Sequence, residues 1–323
     1  MRHGQIIDVP GIKVGHYQDL EGLTGCSVIL TERGAVAGVD VRGSAPGTRE
    51  TDLLDPINLV QMVHGLCLSG GSAFGLDAAS GVMQYLDEHH IGLDVGVAKV
   101  PIVPSAVLFD LAVGNPKIRP DKQMGYEAAK RATAEPFEVG NIGAGCGATI
   151  GKLAGFNNCM KGGLGSASIT LNDGTTIGAM VAVNPLGEVR HPTSHEILAG
   201  PYDSKKGSFI DSVEALKENR AVKPASGTNT TIGVIAVNAD LTKAEAKKVA
   251  QMAHDGYART IYPAHTMYDG DTIFTLATGG HSTQVDVIGA LAAQVMEEAI
   301  LNAVYSAECV QGIPAYKSIH SKR

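Results

Sequence analysis

A threonine at the mouth of a buried strand, preceded by a flexible polar stretch, becomes a nucleophile if the chain is cut in front of it. Residues 227–232 read Gly-Thr-Asn-Thr-Thr-Ile. Scission between Asn229 and Thr230 would give Thr230 a free α-amine beside its own hydroxyl. Such an amine has an ordinary pKa of about 7.7 to 8.0 and can accept the hydroxyl proton near neutral pH. A Thr-Thr-Ile triplet is equally an ordinary strand start, so the residues alone leave both readings open.

Other patterns carry less chemistry. The run NIGAGCGATIGK at 141–152 has the glycines of a phosphate loop, but Cys146 stands where that loop needs glycine and Leu153 where it needs Ser or Thr. The run GGSAFG at 70–75 is close to a serine-hydrolase elbow, with its second glycine one place late. Ser72 reads instead as the cap of the helix that follows. His191 and His195 are four apart but lack the glutamate of H-E-x-x-H, and Pro192 favours a turn. Met252 and His254 read as packing and surface, and Lys243, Lys247 and Lys248 as a solvated helix face. No His, Cys, Asp or Glu grouping has metal-ligand spacing, so neither a metal nor a cofactor is expected.

Positioning such a threonine requires strands and helices around it. Residues 230–237 (TTIGVIAV) are the strongest buried-strand signal, and 271–278 (DTIFTLAT) a second. Thr242 with Glu245 forms a capping-box pattern opening a helix through His254. A last helix carries Ile288, Leu291, Val295 and Ala299 on one face. Strands at 167–171 and 177–183 flank an Asn-Asp-Gly turn, a hairpin signature. Earlier, 26–30 and 35–41 read as separate strands, 75–86 as a helix, and 100–109, with Pro101 and Pro104, as an edge or irregular segment. Residues 205–229 read as the linker. Mixed order without regular βαβ alternation predicts packed sheets covered by helices.

Composition narrows the function. The 323 residues carry 26 Lys+Arg against 33 Asp+Glu, a net charge of −7, which disfavours a phosphate backbone and so nucleic acid as partner. The absence of Trp and a 5% aromatic content argue against a base- or sugar-stacking platform. Forty glycines, about 12% against a typical 7% or so, are scattered as turns and close backbone approaches. Five well-separated cysteines without C-x-x-C favour reduced thiols in a cytoplasmic protein. Residues 1–11 lack a signal-peptide pattern, and no run approaches the roughly 18 apolar residues of a membrane span.

Several long motifs, in order, add a resemblance: DVPGIKVGH at 8–16, GVDVRG at 38–43, GTRETD at 47–52, LSGGSAFGL at 68–76, KGGLG at 161–165, NTT at 229–231 and PAHTMYDGDT at 263–272. Together the sequence resembles the L-aminopeptidase/D-esterase family, which is similar to beta-peptidyl aminopeptidases and endo-type 6-aminohexanoate-oligomer hydrolases. The resemblance covers nearly the whole chain. It implies an α+β, layered αββα fold of the N-terminal-nucleophile type, in one domain over 1–323. It also implies autoprocessing before Thr230 into a large subunit (1–229) and a small one (230–323), by attack of the Thr230 hydroxyl on the Asn229 carbonyl.

By the same resemblance, Lys152 lies near Thr230 and depresses its amine pKa, Asn184 donates its side-chain amide to the oxyanion, and Asp269 and Asp271 orient the nucleophile. Family members often carry Tyr where this chain has Phe74, which cannot donate a hydrogen bond. The expected activity is hydrolysis of small peptides or amides, including β- or ω-amino acid amides, by a homo-oligomer, often of four αβ units. Two alternatives remain: an acyltransferase of the ornithine acetyltransferase type, and a scaffold that never processes.

Overall fold

The two most apolar β-branched runs lie side by side as parallel strands, and the sheet grows outward from them. In the computed structural model, which describes residues 4–218 and 228–320, the main sheet contains β1 (Lys13–Asp19), β2 (Thr24–Val41), β3 (Thr48–Arg49), β4 (Met62–Ser69), β5 (Ser105–Val107), β6 (Gly163–Thr170), β7 (Thr176–Val183), β8 (Ile232–Val237) and β9 (Thr272–Ala277). Its order is β6-β7-β8-β9-β2-β4-β5-β3, with β1 paired to β2. Four helices cover it: α1 (Ala78–Glu88), α2 (Lys122–Lys130), α3 (Lys243–Thr260) and α4 (Val285–Ser306).

Strand alternation divides these elements into layers. Ile177, Ala179, Val181, Ile235 and Val237 pack outward against α3 and α4. The intervening Met180, Ala182, Ile232, Val234 and Ala236 face inward, onto Ile29, Leu66 and Leu68 of the other half of the sheet. The reverse face of that half, Cys26, Val28, Leu30 and Cys67, packs against α1 and α2. Because side chains on a strand alternate faces, each half supplies one wall of a central core and one helix-covered surface, which is the αββα layering. β2 serves both halves: its first part pairs with β1 and β4, its last part with β9, and a bulge lies between Leu30 and Ala35.

Most elements match their sequence signals, including the capping box, in which Thr242 N donates to Glu245 Oε2 at 2.8 Å and Glu245 N donates to Thr242 Oγ1 at 3.3 Å. The 6–7 hairpin turns through Gly174, at φ +90°. Other elements differ. The two early strands are one, because the pairing resumes beyond the polar 31–34 stretch with Gly34 at φ +85°. Residues 100–109 supply a short strand inside the sheet, not at its edge, with both prolines outside it. Lys243 is buried, not solvated, and donates to the carbonyls of Leu53, Asn58 and Val60 at 2.8–3.0 Å. His254 is likewise buried, with Nε2 3.1 Å from Asp40 O. α4, at 22 residues, is long and apolar enough to cross a membrane, contrary to the sequence expectation; its apolar residues line the α3-facing core. Of the expected linker, 219–227 lie outside the described residues, while Ser212–Lys217 is helical.

Glycine permits the closest helix-to-sheet approach. A Cβ on Gly165 of β6 would stand 1.9 Å from Ala299 O and 2.5 Å from Ala303 N of α4, and backbone atoms cannot yield as a side chain would. Urea unfolding of Gly165→Ala should therefore show a loss of about 2–3 kcal/mol or more. An unchanged midpoint would contradict this packing.

Candidate active site

Strand ends converge at one end of the parallel pair. Because β8 and β9 run in register, Ile232 against Thr272, the residues before both strands are neighbours. Thr231 N donates to Asp271 Oδ1 at 2.8 Å, and Gly270 N to Asn229 O at 3.0 Å. β7 is antiparallel to β8, with Ala182 opposite Ile232, so its exit reaches the same place: Thr230 N donates to Asn184 O at 2.9 Å. β2 leaves beside β9, and Ala45 N donates to Asp269 O at 2.9 Å.

The Asn229–Thr230 peptide sits at the centre of this network. The Thr230 hydroxyl donates to the carbonyl oxygen of Asn229, which also receives the Gly270 amide. The hydroxyl thus lies against the carbonyl of its own preceding peptide, and both residues are buried. Gly270 is required here on steric grounds: its Cβ would stand 2.8 Å from Thr230 Oγ1 and 2.7 Å from Ala45 O.

Lys152 approaches from a loop after the Thr149–Ile150 strand. Its Nζ donates to Asn184 O at 3.0 Å, Asn184 Oδ1 at 2.9 Å, Thr149 O at 2.7 Å and Thr149 Oγ1 at 3.2 Å. Asn184 O therefore joins the lysine to the Thr230 amide. Burial pulls the lysine pKa down from about 10.5 to about 7, against a nearby Asp269 charge that raises it. The four oxygens favour the ammonium, and loss of water opposes it. Asn184 Nδ2 donates to Phe109 O at 3.0 Å.

Both carboxylates are buried and hydrogen-bonded. Asp269 Oδ1 accepts from Leu186 N at 3.1 Å, and Oδ2 from Thr266 N at 3.1 Å and from the Thr266 hydroxyl. Burial first, then the Asp271 charge, pushes the Asp269 pKa up to about 6. Asp271 Oδ2 accepts from His265 N at 3.0 Å and meets His265 Nδ1 at 2.9 Å. The carboxylate selects the tautomer with hydrogen on Nδ1.

A cleft of about 350 Å³ opens onto Thr230, walled by Ala45, Pro46, Gly47, Ser72, Val107 and Phe109. Ser72 does not cap a helix. It stands at φ +55° after Gly71 at +79°, starts a 3-10 turn that leads into α1, and no side-chain cap bond forms there. Phe74 is exposed, with the Arg119 guanidinium 3.7 Å above its ring.

All six residues singled out from the sequence, Asn229, Thr230, Lys152, Asn184, Asp269 and Asp271, thus meet in one hydrogen-bonded cluster. Thr149, Thr266, His265 and Gly270 were not assigned roles; the last three lie inside the quoted 263–272 motif, and Thr149 is marked only by standing three before Lys152. His191 and His195 lie in a turn elsewhere, with His195 N donating to His191 O at 2.9 Å. Among the described residues no group of three or more His, Cys, Asp or Glu is placed to hold a metal ion.

The chain matches the family model described as Peptidase family S58 over residues 4–317. An uncharacterized aminopeptidase of Mycobacterium tuberculosis is 43% identical over 343 aligned positions, covering 97% of each chain. A 6-aminohexanoate-oligomer endohydrolase of Kocuria sp. is 33% identical, covering 92% of this chain and 84% of the relative. Among solved structures, the L-aminopeptidase D-Ala-esterase/amidase of Ochrobactrum anthropi, described as a variant of the Ntn hydrolase fold, superposes with a TM-score of 0.72 at 19% identity over 97% of this chain and 90% of its own. A Burkholderia sp. beta-aminopeptidase gives 0.71 at 20% identity over 99% and 93%. These similarities establish the layered fold.

Burial of Lys152 also produces a stability slope. Its folded pKa of about 7 lies below the unfolded value of 10.5. Between those values the unfolded chain binds more protons, so stability rises with pH, and below about pH 7 the penalty is constant. Urea unfolding at about pH 7 and about pH 9.5 should show wild-type protein gaining about 3 kcal/mol relative to Lys152→Met. Equal slopes would contradict the buried, depressed lysine.

Proposed function

From the premise that the chain belongs to peptidase family S58 and is a hydrolase of peptide or amide bonds, we propose that Thr230 is its nucleophile, freed by autocatalytic cleavage of the Asn229–Thr230 bond. The observation that carries this is the Thr230 hydroxyl lying against the Asn229 carbonyl, whose oxygen the Gly270 amide also holds.

The processing step balances as an N-to-O acyl shift. Thr230 Oγ1 bonds to the Asn229 carbonyl carbon, the carbon–nitrogen bond breaks, and the hydroxyl proton passes to the departing Thr230 nitrogen. Lys152 and the Thr230 amide share the Asn184 carbonyl as acceptor, so the lysine's charge acts on the departing nitrogen from across that oxygen. Water then opens the ester, leaving an Asn229 carboxylate and a Thr230 amine. In turnover the amine takes the proton of its own hydroxyl as Oγ1 attacks a substrate amide, and water resolves the acyl-enzyme.

Surrounding groups have distinct parts in this scheme. The Gly270 amide, and the second hydrogen of Asn184 Nδ2, supply oxyanion donors, which suits a chain whose Phe74 cannot donate. Asp271 holds the strand entry through Thr231 N, and Asp269 fixes the turn before Gly270 through Leu186 N and Thr266. Membership of a peptidase family supports hydrolysis over acyl transfer. Substrates are small peptides or amides, including β- or ω-amino acid amides. The five cysteines are unpaired and four are buried, in keeping with a reducing cytoplasm. The active form is a homo-oligomer of αβ units, four in the simplest case, which sedimentation would test.

Thr230→Ala should remain one chain and lose amidase activity by at least about a thousandfold, whereas Thr230→Ser should still process. Lys152→Met removes a positive charge that, when protonated, keeps the Thr230 amine deprotonated. The acidic limb of the kcat/KM profile should then move to higher pH by about one unit. Cleavage in Thr230→Ala, or an unmoved limb in Lys152→Met, contradicts these assignments.

A further inference from the structure

An enzyme that removes N-terminal residues must neutralise the ammonium of its substrate, and a buried unpaired ammonium binds poorly. The cleft beside Thr230 offers nothing to neutralise it. Its walls are Ala45, Pro46, Gly47, Ser72, Val107 and Phe109, with no acidic side chain among the described residues.

Neighbouring acids are turned away from the cleft and occupied. Asp269 and Asp271 accept from Leu186, Thr266, Thr231 and His265, as described above. Asp110, just beyond Phe109, is buried with Oδ1 receiving Gly71 N and Oδ2 receiving the Thr24 hydroxyl, both at 2.7 Å. Processing would create one new carboxylate, at Asn229, but it arises together with the Thr230 amine, whose ammonium form is its counter-ion.

What the cleft does present is apolar wall and one neutral hydroxyl. Ser72 is half-buried, and its side chain makes no hydrogen bond among the described residues. We infer that the acyl side of this site accepts an uncharged chain, so that its substrates are internal or N-blocked amides rather than amides with a free amine in the cleft. This rests on the Thr230 amidase reading and specifies its substrate class. Ser72 then serves as a specificity-determining residue, meeting the neutral amide that replaces the ammonium.

The experiment compares alanyl and 6-aminohexanoyl p-nitroanilides, each with a free amine and with an N-acetyl group, on processed wild-type protein, Thr230→Ala and Ser72→Asp. At about pH 6.5 an α-amine of pKa about 7.7 to 8.0 is mostly charged, and the N-acetyl compounds should give at least about tenfold higher kcat/KM. The KM of the free alanyl compound should fall as pH rises to about 8.5, with no such change for its acetylated partner. Ser72→Asp, tolerable at positive φ, should raise activity on free amines at least about fivefold. Preference for free amines, abolished in Thr230→Ala, overturns this inference and leaves the nucleophile standing. Cleavage of none of the four by processed protein overturns the amidase reading and this inference with it.

Discussion

The whole site depends on the parallel pairing of β8 with β9. Parallel strands place like ends together, so the residues entering both strands are forced into contact: Asn229, Thr230 and Thr231 on one side, Asp269, Gly270 and Asp271 on the other. A parallel pair needs a long crossover, and α3 supplies it. Slipping this register by one residue would exchange core-facing Ile232, Val234 and Ala236 for Gly233, Ile235 and Val237. The hydrophobic layers therefore hold the chemistry in place, although none of their side chains takes part in it.

Burial then sets the electrostatics. Water is excluded from Lys152, Asp269 and Asp271, which would be costly without partners, and each finds several. The result is a lysine whose pKa is drawn down to about 7 and a carboxylic acid whose pKa is pushed up to about 6. Gly270 allows this density, since its missing side chain makes room for the Thr230 hydroxyl and its amide holds the carbonyl that the hydroxyl faces. The geometry suits attack on the preceding peptide, and the cleft beyond suits attack on an incoming one.

Much of this was legible in the sequence because it is periodic or local. The β-branched runs at 230–237 and 271–278, the Thr242–Glu245 box and the 172–174 turn all carry their own signals. The site residues came from resemblance to a family, since Lys152, Asn184 and Asp269 are joined only by tertiary contacts. What the sequence hid has physical causes. Lys243 looks solvated by helical position, but its ammonium satisfies three carbonyls of the 53–60 loop. His254 is covered by packing against Tyr257 and His265 rings, at 5.3 Å and 4.8 Å between centroids. Ser72 fails as a cap because Gly71 and Ser72 both turn left-handed, a backbone choice that no residue pattern announced.

The central claim is that one backbone bond breaks and exposes a threonine. Intact mass spectrometry of the purified, active protein tests it most directly. The account predicts two polypeptides whose masses sum to that of the full chain plus one water, the smaller beginning at Thr230. A single full-length mass in fully active protein would contradict it.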